Sequence, residues 1–257
     1  MIGLITGSGF TDLPAVAERA PVAVRSPYGE VTVTTGTWNG RPVGLVPRHG
    51  SAHTIPPHAI DYRANIWALR SLGVEAIVAT AVSGGIDPAL QPGDLVLISD
   101  VVDLTSGRAD TFFDGVTDPG FGPDGDRRVV HTDMTTAYHP GLRAVVAEAA
   151  RAEGIELVPT GVYCATNGPR FETPAEIAML GRLGGQLVGM TGYPEVALAR
   201  EAGIPYASIG VISNPAAGLA DRELSVSEIM AIVAGAADRL HRLIGRTIQL
   251  SAPGIAP

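Results

Sequence analysis

HAIDYRANIWALRSLGVEAIVATAVSGG, residues 58–85, decides the fold class. Ile60, Ala64, Trp67 and Ala68 recur at helical spacing and Gly73 supplies a stop, which predicts a helix over His58–Leu72. Ala76–Val82 then runs apolar without a break and ends in Ser83-Gly84-Gly85, the pattern of a buried strand and its loop. A helix feeding directly into a fully apolar strand is the repeating unit of a sheet covered on both faces.

The same alternation extends in both directions. Met1–Thr6 is a short apolar run closed by Gly7-Ser8-Gly9. Val31, Val33 and Thr35 alternate along one strand, and Asn39-Gly40 is a type I′ hairpin signal into Pro42–Pro47. Toward the C-terminus, strands are predicted at Leu95–Val102, Leu157–Ala165, Gln186–Met190 and Tyr206–Ile212. Helices are predicted at Pro140–Glu153, Pro174–Leu183, Glu195–Ala202 and from about Ser225 to Gln249. Ser106 to Thr132 is polar and rich in Gly, Asp and Pro, the longest irregular stretch. The expectation is an α/β sandwich: one domain over residues 1–250, a central mixed twisted sheet flanked by helices, and a disordered tail at 251–257.

Composition narrows the function. A chain of 257 residues with 46% hydrophobic residues can bury about 70% of its surface and is no disordered chain. The 32 glycines and 20 prolines punctuate apolar runs and form no repeat. A net charge of −8 and the lack of any basic stripe argue against nucleic acid. All 18 basic residues are arginine, which excludes Schiff-base chemistry, pyridoxal-phosphate anchoring and a phosphate-loop lysine. Any bound phosphate must therefore be held by arginine, hydroxyls and backbone N–H. Cys164 is alone, so no internal disulfide or cysteine metal cluster can form. No run of about 18 apolar residues suggests a membrane span, and the MIGLITGSGF start lacks a basic leader region. A cytoplasmic protein is the expectation.

Several strand ends carry chemistry. Gly7-Ser8-Gly9 can offer N–H groups and a hydroxyl to an anion, although Asp12 stands where a dinucleotide fingerprint needs its third glycine. Arg48-His49 closes a strand and is followed by His53 and His58. An anion site, a surface pair and a metal site all remain open there, and the metal reading lacks the usual ligand spacing. Ala81-Val82-Ser83-Gly84-Gly85 resembles a hydrolase nucleophile elbow, with Asp133 and His139 or His241 as partners for Ser83. Glu172 and Thr173 precede the helix at Pro174 and can serve a site or merely cap it. Met190-Thr191-Gly192 and Ser213-Asn214-Pro215-Ala216 are further strand-to-loop corners. Corners after successive strands of one sheet face one crevice.

Taken in order, TGSGF (6–10), RHGSAHTIPPHAIDYRANIWAL (48–69), QPGD (91–94), NGPRFETPAE (167–176), VGMTGYPEVALAREAGIPYA (188–207) and ISNPAAG (212–218) resemble the trimeric purine nucleoside and methylthioadenosine phosphorylases. The likeness covers about residues 1–250 and is strongest to bacterial methylthioinosine phosphorylases. It implies phosphorolysis of a purine nucleoside, with inorganic phosphate as co-substrate and no cofactor or metal. By the same resemblance, Ser8, Arg48, His49, the Ala81–Val82 loop and Thr191 hold phosphate, and Met190 lies against the ribose. Glu172, Thr173, Asn214 and Ala216 form the base site, with His49, Glu172 and Asn214 as the catalytic set. Val226 falls near the 5′ group. His131 resembles a histidine that crosses from a neighbouring subunit, which implies a homotrimer or a dimer of trimers. Where methylthioadenosine phosphorylases have a threonine this chain has Ala81, and Glu172 with Asn214 replace their serine and aspartate. That pair points to 6-oxopurines, because a carboxylate accepts their ring N–H but meets a lone pair on adenine. A methylthioadenosine phosphorylase, a Ser83 hydrolase and a nucleoside-binding protein without turnover are the competing readings.

Overall fold

Alternating apolar runs assemble into one ten-stranded mixed sheet in the computed structural model, which describes residues 1–10, 13–122, 129–220 and 225–251. The strands are β1 (Ile2–Thr6), β2 (Ala17–Ser26), β3 (Gly29–Trp38), β4 (Arg41–Pro47), β5 (Ala76–Gly85), β6 (Leu95–Leu97), β7 (Asp100–Asp103), β8 (Val162–Ala165), β9 (Leu187–Gly189) and β10 (Tyr206–Pro215). The helices are α1 (Tyr62–Ser71), α2 (Pro140–Ala152), α3 (Pro174–Arg182), α4 (Gly192–Glu201) and α5 (Val226–Leu250). Strand order runs β2-β3-β4-β1-β5-β9-β8-β7, with β10 along β5 and β6 antiparallel on β10.

The central strand positions everything else. β5 pairs in parallel with β1 through Ala79, with β10 along its length, and with β9 only at Gly84 and Gly85. On the β1 side this leaves an opening in the sheet beside residues 80–83. Ile66 and Leu69 of α1 and Val196 and Leu198 of α4 cover one face, around Tyr163 and Tyr206. Leu142 and Val146 of α2 and Val233, Leu240 and Leu243 of α5 cover the other. A small third cluster seats α3 through Ile177 and Leu180 on Cys164 and Val188.

Most predicted elements form, including the Asn39-Gly40 turn, where both residues have positive φ (51° and 74°) as a type I′ turn requires. The departures have local causes. β2 escaped the hydrophobic pattern because it is a solvated edge strand bearing Glu18, Arg19, Pro21 and Arg25, paired only with β3. The helix at His58–Leu72 begins only at Tyr62, because Pro56-Pro57 leads into a short 3-10 turn and Asp61 caps α1 by accepting from the Ala64 N–H. Leu95–Val102 splits at Ile98-Ser99 into β6 and β7, which pair with different neighbours. Leu157–Ala165 narrows to β8 because Pro159 and Gly161 break the run, leaving Val158 one bridge to Val96. Ser83-Gly84-Gly85 is strand, not loop, and so is Ala81–Val82. Ser251 belongs to the fold, buried and donating to the Thr247 carbonyl, whereas residues 252–257 of the expected tail lie outside the described residues.

Candidate active site

Arg48 emerges from the end of β4 into the opening beside β5. Its side chain and that of Glu195 are only 2% and 1% exposed. Nε and Nη2 fork onto Glu195 at 3.0 and 2.9 Å, and Nη1 donates to the Thr80 carbonyl at 2.7 Å. Tyr206 donates its hydroxyl to Glu195 Oε1 at 2.7 Å. Burial opposes the guanidinium charge, but the carboxylate overcomes it and the Arg48 pKa is raised. A guanidinium has five N–H groups, so these bonds leave one on Nη1 and one on Nη2. Nη1 lies against Gly7, where a Cβ would stand 2.7 Å away, so the arginine backs directly onto the Gly7-Ser8-Gly9 turn.

His49 is buried beside it, and its Nδ1 donates to the Ile55 carbonyl at 2.8 Å. A carbonyl cannot donate, so Nδ1 carries the proton and Nε2 offers a lone pair. Burial holds this imidazole below its ordinary 6.5, with the Arg48 charge acting in the same direction. Its ring stands 4.6 Å from that of His53, whose Nε2 meets the Ser8 hydroxyl at 3.2 Å. Among the described residues no three His, Cys, Asp or Glu side chains are grouped to hold a metal ion.

The Ala81 side chain is buried and offers nothing to an anion. Because the Thr80 carbonyl faces the opening, strand alternation turns the Val82 N–H to the same edge and the Ala81 N–H toward β10. Thr191 precedes α4 and is buried, yet its hydroxyl makes no capping bond. The N–H groups of Thr191 and Gly192 both go to the Tyr163 hydroxyl at 3.2 Å, and the Thr191 side chain meets the same hydroxyl.

A cavity of about 340 Å³ lies at the Glu172 corner, lined by Thr166, Gly168, Arg170, Glu172, Glu176 and Met179, among others. Glu172 is half-buried there, with Oε1 accepting from the Thr166 hydroxyl at 2.6 Å. Met190 closes against Gly168, whose φ of 60° and lack of a Cβ let the methionine sulfur approach. Gly218 packs directly on Pro174, so the Asn214 corner and the Glu172 corner meet. Asn214 accepts from Ser213 at 2.6 Å and donates to the Pro215 carbonyl at 2.7 Å, which leaves its second amide N–H free to donate. Ala216, two residues on, is buried.

Two expectations are corrected, those for Thr173 and for Ser83. Thr173 is exposed, and its side chain caps α3 in a reciprocal box with Glu176. Ser83 is buried within β5 with Oγ on the Ala81 carbonyl, while His139 caps α2, His241 edges onto Phe10 and Asp133 binds Thr135. No elbow and no triad exist among them. His131 is exposed and, among the described residues, forms no hydrogen bond to the site of its own chain. Val226 opens α5 at 63% exposure.

Sequence reasoning gave no role to Glu195, Tyr206, Tyr163, Ser213 or Arg108. Glu195 looks like any acid in the first turn of a helix. Arg108, in the irregular 106–132 stretch, donates to the carbonyls of Tyr193 and Asn167 at 2.6 and 2.9 Å and so ties that stretch to both corners. Asp110 and the Thr111-Phe112 pair add bonds to Tyr193 and Glu201.

The sequence pattern described as the phosphorylase superfamily matches residues 1–249. A probable 6-oxopurine nucleoside phosphorylase of Moorella thermoacetica is 45% identical, over 99% of this chain and 93% of its own. A probable S-methyl-5′-thioinosine phosphorylase of Methanopyrus kandleri is 42% identical, over 98% and 93%. Among solved structures, methylthioadenosine phosphorylase from Schistosoma mansoni with adenine superposes at a TM-score of 0.90 and 30% identity, over 97% and 91%.

Proposed function

This chain belongs to the phosphorylase superfamily, and from there we propose that the nucleosides it takes carry a 6-oxopurine base, with S-methyl-5′-thioinosine, inosine and guanosine as the candidates. It is a transferase that phosphorolyses purine nucleosides. The observation that carries the base assignment is Glu172, a carboxylate at the cavity held by Thr166, two residues before the Pro174 that packs on Gly218 of the Asn214 corner. An ionised carboxylate accepts the ring N–H of hypoxanthine or guanine and repels the lone pair of adenine.

Phosphate is the co-substrate, held by the two remaining Arg48 N–H groups, the hydroxyls of Ser8 and Thr191 and the Val82 N–H. His49 Nε2 accepts the O–H of hydrogen phosphate. Bond order changes hands simply: the glycosidic C–N bond breaks with its electron pair on the purine, and a phosphate oxygen bonds the anomeric carbon. Asn214 donates its free N–H to the imidazole nitrogen on which negative charge gathers, so catalysis is positioning plus stabilisation of the leaving base. Met190 lies against the ribose. Met230, one turn on from Val226, lies against Gly9 of the Ser8 turn, and both apolar side chains are exposed, which suits a 5′-methylthio group.

Base release from methylthioinosine, inosine, guanosine and methylthioadenosine, each with and without phosphate, tests the reading. Release from the 6-oxopurines should require phosphate and exceed that from methylthioadenosine by roughly tenfold or more. A preference for methylthioadenosine overturns the base assignment, and release without phosphate overturns the anion site.

The exposed His131 supports a trimer in which it reaches a neighbour's sugar. Light scattering should give three times the chain mass, and His131→Ala should lower nucleoside kcat/KM at unchanged mass. A monomeric, fully active wild type would refute this.

A further inference from the structure

Thr166 follows β8, and its backbone is pinned from both sides: its N–H donates to the Gly189 carbonyl at 2.9 Å and its carbonyl accepts from Arg108 at 3.3 Å. Glu172 lies beyond the five-residue Asn167–Phe171 loop and has no such backbone anchor of its own among the hydrogen bonds described. Its carboxylate is located instead by the Thr166 hydroxyl at 2.6 Å. That hydroxyl has a second acceptor, the Gly189 carbonyl at 3.4 Å, but its single proton goes to the nearer, charged oxygen.

A rival for the same carboxylate stands two residues away. Arg170 could take Glu172 into an ion pair and end its ability to accept from a base. Its direct bonds go to Glu176 instead, which grips both terminal nitrogens of Arg170 at 2.8 and 2.6 Å and leaves Glu172 only a through-space attraction to that charge. Glu176 is itself fixed, accepting the Thr173 N–H at 2.7 Å in the cap of α3. One donor therefore holds Glu172, and the nearby cation is diverted.

We propose that Thr166 is a positioning residue for base selection, its hydroxyl holding Glu172 toward the cavity as an acceptor while Glu176 keeps Arg170 off it. The inference rests on the 6-oxopurine reading above. With Oε1 bonded to Thr166, Oε2 faces the base as the acceptor for a ring N–H. Without that bond the carboxylate swings with its loop, and a 6-oxopurine must order it on binding.

Thr166→Val keeps the branched shape and removes the donor. The expected result is a loss of about tenfold in kcat/KM for inosine and methylthioinosine, carried chiefly by nucleoside KM, as suits one hydrogen bond to a charged group. The advantage over methylthioadenosine should narrow, while phosphate KM and the melting temperature stay near wild type. Thr166→Ser, which restores the hydroxyl alone, should recover most of the loss. Wild-type kinetics in the Val variant, failure of Ser to rescue, or a parallel rise in phosphate KM would each overturn the proposal. If Val prevents folding, Thr166→Ala against Thr166→Ser makes the same comparison. A wild type without 6-oxopurine preference removes the underlying reading before any Thr166 variant is made, so the two failures are distinct.

Discussion

Asn214→Ala is expected to lower kcat on 6-oxopurine nucleosides by roughly 100- to 1,000-fold, the range for removing one donor aimed at developing charge. Phosphate affinity should change by less than about twofold, since a donor on the base side is remote from the anion. The geometry supports so large an effect because Ser213 and Pro215 fix the amide in one orientation before substrate arrives. A donor already in place needs no reorganisation as the bond breaks. Asn214→Asp keeps the acceptor for Ser213 but has no N–H, and it should fail on the same substrates. Single-turnover base release at saturating phosphate, with phosphate affinity measured separately, gives the comparison. Equal losses in turnover and phosphate affinity would remove the proposed role.

The second large effect falls on stability. Glu195→Ala leaves the Arg48 charge buried without its carboxylate, a change that costs about 3–5 kcal/mol. For a chain of this size that corresponds to a melting temperature lower by roughly 6–20 °C. Phosphate should stabilise the variant more than the wild type, because the anion then supplies the charge that Glu195 supplied. Melting curves with and without phosphate read both effects. A drop below about 2 °C, or equal stabilisation by phosphate in both proteins, would show that the pair contributes little.

These two residues mark the limit of what the chain reveals before it folds. Asn214 was legible because it sits in a short, distinctive corner, Ser213-Asn214-Pro215-Ala216, directly after an apolar strand. Glu195 stood in an equally visible segment, yet nothing local told it apart from an ordinary helix-start acid. Its meaning comes from Arg48, 147 residues away in sequence. The Ser83 elbow failed for the opposite reason: a local pattern suggested a turn, but pairing with β10 and β9 drew Ser83-Gly84-Gly85 into the central strand. β2 was illegible because an edge strand in water has no buried face to impose alternation.

Apolar periodicity and turn chemistry in the sequence by themselves determined the alternating helices and strands, the sheet covered on both faces, and the corners at Gly7, Arg48, Met190 and Asn214. They did so because burial and backbone geometry act over a few neighbouring residues. Only the tertiary structure decided how those corners are completed: the Arg48–Glu195–Tyr206 cluster, the Thr166 hold on Glu172, and the Arg108 tie between the two halves of the site. Such bonds join residues far apart along the chain. Partners of this kind become defined only when the sheet brings strand ends into one opening and excludes the water that would otherwise satisfy them.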